Sequence, residues 1–183
     1  MIIRPLYVIR GVEPTPPPVD PWNPLNLPSY TIRVKLDDTS YDCSNKGFNG
    51  TWTSVDNNGT WDIYYPLPNW SRLLRNSLGL FGEMKVHQIL GLNATGVTNM
   101  ERFEDCGQQY LYGTLPLFDT TSLTNVINMF YECYYVDGGQ LALYQQMSSQ
   151  TNPPSNHSGC FNSCGSSSTT GAAELAQIPI GWK

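Results

Sequence analysis

The feature that most constrains the fold of this chain is a segment that occurs twice. The stretch NATGVTNMERFEDC covers residues 93–106, and the stretch DTTSLTNVINMFYEC covers residues 119–133. The residues around Val97 match those around Leu123 at a spacing of 26, whereas the later Phe and Cys positions match at a spacing of 27. We interpret this difference as one residue deleted from the first copy near Arg102. A period of this length is typical of solenoid turns, each of which buries its inner face only against its neighbours.

The apolar residues of the two copies are the predicted core of such a solenoid, because stripes of Phe, Met and Cys are far more often core than ligand site. Leu115 and Leu117, and in the first copy Ile89 and Leu90, are expected to form short strands. The stretch TNVINMFYEC is expected to form a helical return. The predicted repeat core comprises Val97, Met100, Phe103, Cys106, Leu123, Val126, Met129, Phe130 and Cys133.

Length and charge limit the classes of function. A chain of 183 residues fits one domain, or one domain with a small companion. Its net charge of −5 argues against nucleic acid as a partner, since that affinity comes mostly from cationic contacts to phosphate. No apolar run reaches the eighteen or so residues of a membrane helix, and the first residues do not resemble a secretory signal. We therefore expect neither membrane insertion nor export by a signal of its own.

Residues 1–28 are expected to form an anchoring arm. They hold eight of the fourteen prolines, and the stretch PTPPPVDPWNP predicts an extended spacer, since proline disfavours helices and central strands. The preceding IIRPLYVIR is apolar and prone to form a strand that could join a sheet of another subunit. The alternative is an arm folded back on its own domain. The predicted anchoring residues are Ile2, Ile3, Leu6, Tyr7, Val8 and Ile9.

Residues 29–85 read as a small antiparallel β unit with a capping helix. The stretch YTIRVKL alternates apolar and polar residues, as a half-buried strand does. Asn-Gly pairs predict tight turns between further strands around Trp52 and Trp61. The stretch NWSRLLRNSLGLF then predicts a helix capped by Asn69 or Ser71.

The C-terminal residues are expected to cap the other end of the repeat, because two repeats are fewer than the three or so that usually stand alone. LALYQQM predicts a helix, and AAELAQIPIGW predicts a second segment behind it, ended by Pro179 and Gly181. Trp182 is expected to close the apolar end.

The stretch LFDTTSLTNVINMFYEC resembles the leucine-rich repeat of the BspA-like family, which is found in gut Bacteroidales and their phages. YTIRVKL, ILGLNATGVTNM and the tail from GGQLALYQQM onward are similar to the same family, so that the resemblance spans roughly residues 29–182. It implies a leucine-rich-repeat architecture, whereas members serve adhesion, host contact and virion decoration. The predicted fold is therefore α+β, with a small antiparallel β unit followed by a short leucine-rich-repeat solenoid and a helical C-terminal cap. The predicted regions are 1–28, 29–85 and 86–183.

No catalytic residue, metal site or cofactor is predicted. The two histidines lie beside no recognisable nucleophile motif. His157, Cys160 and Cys164 could hold three corners of a zinc site, but a fourth ligand is not visible. The five cysteines cannot form a closed disulfide framework, so mostly reduced thiols are expected, with a Cys160–Cys164 disulfide or two plain thiols in the cap.

Aromatic residues of the β unit are the candidate ligand contacts, because exposed flat rings can stack on sugars or anchor a protein interface. These residues are Trp52, Trp61, Tyr64 and Trp70. Alternation places some of them in the interior, where they would serve as core.

The favoured function is a non-enzymatic structural protein of a phage virion, as a capsid decoration or a tail-fibre-like part. It would assemble in the bacterial cytoplasm, dock through its arm onto other virion proteins or its own copies, and display its head to a host-surface glycan or protein. A homo-oligomer is expected, because the arm and the short repeat both leave surfaces to be covered. The alternative is a bacterial cell-surface adhesin of the same family. An enzyme acting on carbohydrate would need paired acids in a cleft, which the sequence does not nominate.

Overall fold

The computed structural model describes residues 20–36, 50–56, 58–74, 86–103 and 111–183. The predicted anchoring residues Ile2, Ile3, Leu6, Tyr7, Val8 and Ile9 lie outside the described residues, as do Cys43 and Cys106.

A four-stranded antiparallel sheet forms from β1 (Thr31–Leu36), β2 (Thr51–Ser54), β3 (Thr60–Tyr64) and β4 (Val86–Asn93), in the order β2-β3-β1-β4. The alternation predicted for YTIRVKL is confirmed, since Ile32, Val34 and Leu36 are buried in β1. The register sets Ile32 beside Ile63 of β3 and Leu92 of β4, which gives the sheet one apolar face. The predicted antiparallel β unit is therefore present.

The remaining elements follow β4 in the chain. A two-stranded parallel pair joins β5 (Gly113–Thr114) to β6 (Val136–Gly138). Helix α1 (Gln140–Ser148) and helix α2 (Thr169–Gln177) follow, and a short 3₁₀ helix spans Ile180–Trp182. The helix predicted from LALYQQM is thus confirmed as α1. Within the described residues, none of the helices is long or apolar enough to cross a bilayer.

The predicted fold class is wrong in its central element, because the described chain does not contain the leucine-rich-repeat solenoid of strands and helical returns. Its strands lie in the antiparallel sheet and the parallel pair. Ile89 and Leu90 belong to β4 and pair with β1, instead of supplying a strand to the first repeat. The expected helical return from Thr124 to Cys133 is a series of turns.

Backbone geometry explains why this return is not a helix. Asn128 and Glu132 have φ angles of 52° and 57°, in the left-handed region that ends a right-handed helix. Alternate amide groups also point away from the segment: Phe130 donates to the Cys160 carbonyl at 2.8 Å, and Glu132 donates to the Asn162 carbonyl at 2.8 Å. The helix predicted from Asn69 is interrupted in the same way, because the described residues 69–74 form turns and Arg72 has a φ of 58°.

The repeated segments instead meet through single parallel bridges between asparagines. Asn69 bridges Asn99, Asn99 bridges Asn125, and Asn125 bridges Asn156. We call these four residues the asparagine ladder. The residue after each of the first three asparagines donates its amide to the carbonyl of the next asparagine. The distances are 2.7 Å from Trp70 to Asn99, 2.8 Å from Met100 to Asn125 and 2.8 Å from Val126 to Asn156.

Asparagine suits this position because its side chain also closes the local turn. Asn69 Oδ1 accepts from the amide of Ser71 at 3.0 Å, Asn99 Oδ1 from that of Glu101 at 2.9 Å, and Asn125 Oδ1 from that of Ile127 at 3.2 Å. Such side-chain turns satisfy a backbone donor that an open turn would leave unpaired. Asn69, Asn99 and Asn125 therefore serve the turn and the bridge together.

Inside the ladder lies a column of four aromatic rings, which we call the aromatic column: Trp70, Phe103, Phe130 and Phe161. Their centroids are 6.0, 6.2 and 6.2 Å apart in that order. The predicted core residues of the repeat are buried around this column, at 2% exposure or less, wherever the structure describes them: Val97, Met100, Phe103, Leu123, Val126, Met129, Phe130 and Cys133.

The suggested deletion near Arg102 is not seen. Met100 donates to the Asn125 carbonyl at 2.8 Å and Arg102 to the Ile127 carbonyl at 2.9 Å, so donor and acceptor are 25 positions apart in both bonds. The register set by the Asn99–Asn125 bridge is therefore unchanged at Arg102. By backbone register Phe103 therefore corresponds to Met129, although its ring packs against Phe130. At Phe103 the spacing of 27 to Phe130 therefore reflects side-chain packing, with no residue deleted up to that point. The predicted match of Cys106 with Cys133 lies outside the described residues.

Candidate binding site

Trp70, one of the four aromatic residues predicted to contact a ligand, is not accessible to one. It is 0% exposed, stacks on Phe103 in the aromatic column, and donates from Nε1 to the Tyr65 carbonyl at 3.2 Å. Burying an indole with its donor satisfied is ordinary core packing. The assignment of Trp70 as a ligand contact is therefore corrected to a core residue.

Trp52 and Trp61 lie together at the edge of the sheet. The β2–β3 register sets Trp52 opposite Ile63, and Trp61 lies two residues before Ile63 on the same face. Both indoles are half-buried, pack against the core and meet edge to face with centroids 6.3 Å apart. Both therefore keep part of their surface exposed on β2 and β3.

Tyr64 points to the opposite face of the sheet from these two tryptophans, because side chains alternate along β3. It is 41% exposed. On the same face Arg33 and Asp62 form a salt bridge with Nε–Oδ1 and Nη2–Oδ2 distances of 2.7 and 2.8 Å. The predicted contacts thus do not converge on one site: two lie at a sheet edge, one lies on the outer face, and one is in the core.

A groove that the sequence did not indicate lies beside α1, and we call it the α1 groove. It encloses about 480 Å³, within the range of roughly 300–1,000 Å³ typical of small-molecule sites. An adjoining hollow of about 380 Å³ shares Thr121, Ser149 and Gln150 with it and continues to Asn152. The residues that line the α1 groove are Trp22, Leu117, Asp119, Thr121, Ala142, Gln145, Gln146, Ser149 and Gln150.

Trp22 reaches this groove because the segment before β1 is tied to the sheet. Asp20 accepts from the Trp22 amide at its Oδ1 at 2.9 Å, and Asn23 donates to the Asp20 carbonyl at 3.0 Å, which forms a tight turn. Asn23 then pairs with both backbone groups of Leu27 at 2.8 Å each, and Asn93 of β4 donates to the same Leu27 carbonyl at 2.8 Å. We call this arrangement the Asn23–Leu27 clamp.

Gly91 of β4 makes room for the clamped segment. A Cβ at that position would come within 2.7 Å of Leu25 Cδ1, so a larger residue would force the Leu25 side chain to move. Leu27 is only 4% exposed as a result. Residues 20–28, predicted as part of the arm, therefore pack on the chain's own sheet.

The floor of the α1 groove carries glutamine side chains held in fixed positions. Gln146 Nε2 donates to the Phe118 carbonyl at 2.6 Å, and Gln150 Nε2 donates to Thr120 Oγ1. Because a carbonyl can only accept, the orientation of the Gln146 amide is determined. The Oε1 atoms of both glutamines are buried without a donor among the described residues. A buried oxygen without a donor costs about 1–3 kcal/mol.

The groove is polar but nearly uncharged. Of its described lining residues, only Asp119 is ionisable as an acid or a base, and its Oδ1 already accepts from the Thr121 amide at 3.0 Å and from Thr121 Oγ1 at 2.6 Å. The remaining polar lining consists of amides and hydroxyls. Such a lining can donate to and accept from a neutral polar ligand.

The residues considered for zinc do not form a metal site. His157 stacks on Trp182 with centroids 4.2 Å apart, and its Nδ1 donates to the Gly181 carbonyl at 3.1 Å. Cys160 and Cys164 are free and fully buried, and burial raises the pKa of both thiols well above the usual value. In the part of the chain that the structure describes, His, Cys, Asp and Glu form no group of three placed to hold a metal.

Sequence reasoning missed the α1 groove because its parts are far apart in the chain. Trp22 lies within the proline-rich stretch that predicted a spacer, and the glutamines lie in the predicted C-terminal cap. The one available signal was an aromatic residue inside that spacer, which a purely extended tether does not need. Comparisons with protein-family models, with curated protein sequences and with solved structures gave no match.

Proposed function

We propose that this chain is a non-enzymatic structural protein of a bacteriophage particle. Its N-terminal arm docks onto other virion proteins or onto further copies of the chain. The part from Asp20 to Lys183, which we call the head, is displayed outward toward the bacterial host. Assembly takes place in the host cytoplasm.

The observation that carries this proposal is the Asn23–Leu27 clamp. A docking arm can hold a head in place only if the arm is firmly joined to it. Leu27 near the end of the predicted arm is buried and accepts a hydrogen bond of 2.8 Å from Asn93 of β4, which attaches this segment to the sheet. Two further bonds of 2.8 Å between Asn23 and Leu27 fix the conformation of the segment itself. A pulling force on the preceding residues would therefore act on the sheet through this attachment.

The head also has the surface of a display element. Along the outer side of the asparagine ladder, Thr98 and Thr124 donate from Oγ1 to the carbonyls of Pro68 and Thr98 at 3.4 and 3.0 Å, and Ser155 donates from Oγ to the Thr124 carbonyl at 3.3 Å. Each hydroxyl thus binds the turn before it. This supports an outer surface that is polar, internally hydrogen-bonded and low in charge.

Deleting residues 1–19, which keeps the clamp, tests the docking role. Full-length and truncated proteins are supplied to the culture that produces the particles, and purified particles are assayed for the incorporated protein. We expect a folded truncated head that is lost from the particles, with incorporation at least tenfold below that of the full-length chain. Incorporation at the full-length stoichiometry would overturn the proposal.

Tyr64 and the pair Trp52 and Trp61 are the aromatic groups of the head proposed to touch the host surface. The experiment compares adsorption of particles carrying Trp52→Ala or Tyr64→Ala heads with adsorption of wild-type particles. A drop of at least threefold is expected for at least one variant. Equal adsorption by both variants at equal incorporation would reject the contact role of these residues without bearing on the docking role.

A further inference from the structure

We propose that the α1 groove binds a neutral oligosaccharide, with the Trp22 indole against a sugar face and the surrounding amides and hydroxyls bonded to the sugar hydroxyls. This inference names a site separate from the sheet aromatics. It concerns the isolated protein, so it does not depend on the chain being part of a particle.

The shape and apolar wall of the groove fit a sugar ring. Trp22 is 40% exposed and lines the groove together with Leu117 and Ala142. A sugar ring has one or two patches of C–H groups framed by hydroxyls, and an indole face covers such a patch while leaving the hydroxyls free to bond. Hydrogen bonds of the Asp20–Asn23 turn fix the backbone that carries the indole, so binding has only the side chain to order.

The polar lining fits hydroxyl groups in particular. Gln145, Ser149 and Thr121 are exposed in the groove and offer both donors and acceptors. A hydroxyl also donates and accepts, so one sugar hydroxyl can bond to an amide and to a side-chain hydroxyl at once. The adjoining hollow extends this lining to Asn152, which gives room for more than one sugar unit.

The charge of the lining selects against acidic ligands. Lys and Arg are absent from the described lining residues, and Asp119 supplies one negative charge. A phosphate, sulfate or carboxylate in the groove would meet this charge without a cation to compensate it. A neutral sugar avoids that repulsion.

The buried glutamine oxygens indicate a missing donor. Gln146 cannot turn its amide without losing its bond to the Phe118 carbonyl, so its Oε1 stays without a donor among the described residues. The oxygen is shielded from solvent, so a sugar hydroxyl can bond to it only after the Gln146 side chain shifts.

The test uses the full chain on an array of neutral and acidic oligosaccharides, followed by calorimetric titration of the strongest neutral ligand. Trp22→Ala is expected to weaken binding at least tenfold, whereas Trp22→Phe, which keeps a flat ring, is expected to retain most of it. Leu25→Ala is the matched control, because Leu25 lies in the same segment with 39% exposure and does not line the groove. Its affinity is expected to equal that of the wild type.

Three outcomes would overturn the proposal. The first is that the wild type binds none of the neutral oligosaccharides, the second is that Trp22→Ala and wild type bind them with equal affinity, and the third is that the wild type prefers acidic glycans. Gln146→Leu gives an independent check, since it removes the unpaired oxygen and the polar bond together while keeping the volume. Reduced affinity is expected for it, and thermal unfolding measures the separate effect of losing the bond to the Phe118 carbonyl. Failure of these measurements leaves particle incorporation unaffected, so the two proposals are tested separately.

Discussion

Phe130 occupies an inner position of the aromatic column and depends on neighbours on both sides. Its ring meets Phe103 edge to face and stacks on Phe161, with both centroid distances at 6.2 Å. Aromatic pairs at such separations stabilise by about 0.5–1.5 kcal/mol beyond the area that they bury. A residue with two such partners and 2% exposure contributes more than either end of the column.

Phe130→Ala is expected to lower the free energy of unfolding by about 3–5 kcal/mol, because it leaves a cavity between Phe103 and Phe161. Urea denaturation measures the change. Leu90→Ala is the control, since Leu90 is 36% exposed on β4 and its loss is expected to cost under about 1 kcal/mol. A loss below about 1 kcal/mol for Phe130→Ala would contradict the role assigned to the column.

The buried thiols make the stability of the protein sensitive to alkaline pH. Burial raises the pKa of Cys160 and Cys164 well above 9.0, whereas the unfolded chain titrates near that value. Below the unfolded pKa both states hold the proton, and the stability from the neutral thiols is fully present. Above it the unfolded state loses protons that the folded state keeps, so the free energy of unfolding falls as pH rises.

The expected result is a decline in unfolding free energy as the pH rises through and above 9.0, and a shallower decline in a Cys160→Ala, Cys164→Ala double variant. Urea titrations at several pH values measure the two slopes, so that the lower overall stability of the variant does not matter. Parallel slopes in the two proteins would show that other groups cause the alkaline loss.

At the scale of elements, the third residue after each ladder asparagine has a left-handed backbone. Arg72, Arg102 and Asn128 have φ angles of 58°, 51° and 52°, and Gly159 has a φ of 67°. Non-glycine residues adopt this conformation at a cost of roughly 1–2 kcal/mol, which the bonds between turns offset here. The shared angle is what lets successive turns keep the same path.

Gly159→Ala is expected to destabilise the protein by about 1–3 kcal/mol, because it combines the left-handed strain with a steric conflict. A Cβ at Gly159 would overlap Asn128 Oδ1 of the preceding turn. Asn128→Gly, at the equivalent position of that turn, is expected to change stability far less. Thermal unfolding compares the two variants, and equal losses would mean that the position has no special backbone requirement.

These turns show where sequence reasoning reached its limit. The alternation of β1 follows from half-burial in a sheet, so Ile32 and Val34 predicted it directly. The spacing of Met129, Phe130 and Cys133 fits a helix equally well, and Glu132 gives no signal of its positive φ. Asn128 does, because asparagine adopts the left-handed region more readily than other non-glycine residues, but the helical spacing outweighed it. The burial of the repeat residues was predictable from their apolar pattern, whereas the backbone path that buries them was not.

At the scale of the whole molecule, residues 20–28 bring together parts that lie far apart in the chain. The same segment buries Leu27 against the sheet and places Trp22 across from α1. A groove assembled from residues 22, 117–121 and 142–150 leaves no local pattern in the sequence. For that reason the composition of the proline-rich stretch predicted a tether and gave no indication of a site.

Deletion of residues 1–28 is expected to lower the unfolding free energy by about 2–4 kcal/mol relative to deletion of residues 1–19, because it removes Leu27 from its buried place on the sheet. Urea denaturation of the two truncated proteins isolates the contribution of the clamp. Leu27→Ala in the shorter deletion is expected to reproduce most of the loss. Equal stability of the two truncations would mean that the clamp adds nothing to the head.

The asparagine ladder has a consequence for how new material could be added to this molecule. Its members are 30, 26 and 31 positions apart, yet all three bridges have the same form. The bridges between asparagines align successive turns, whereas the chain segments between the asparagines can differ in length. An epitope or affinity peptide grafted into the longest of these links, after α1 and before Asn156, should leave the stacking undisturbed, which makes that stretch a suitable place for engineering a carrier.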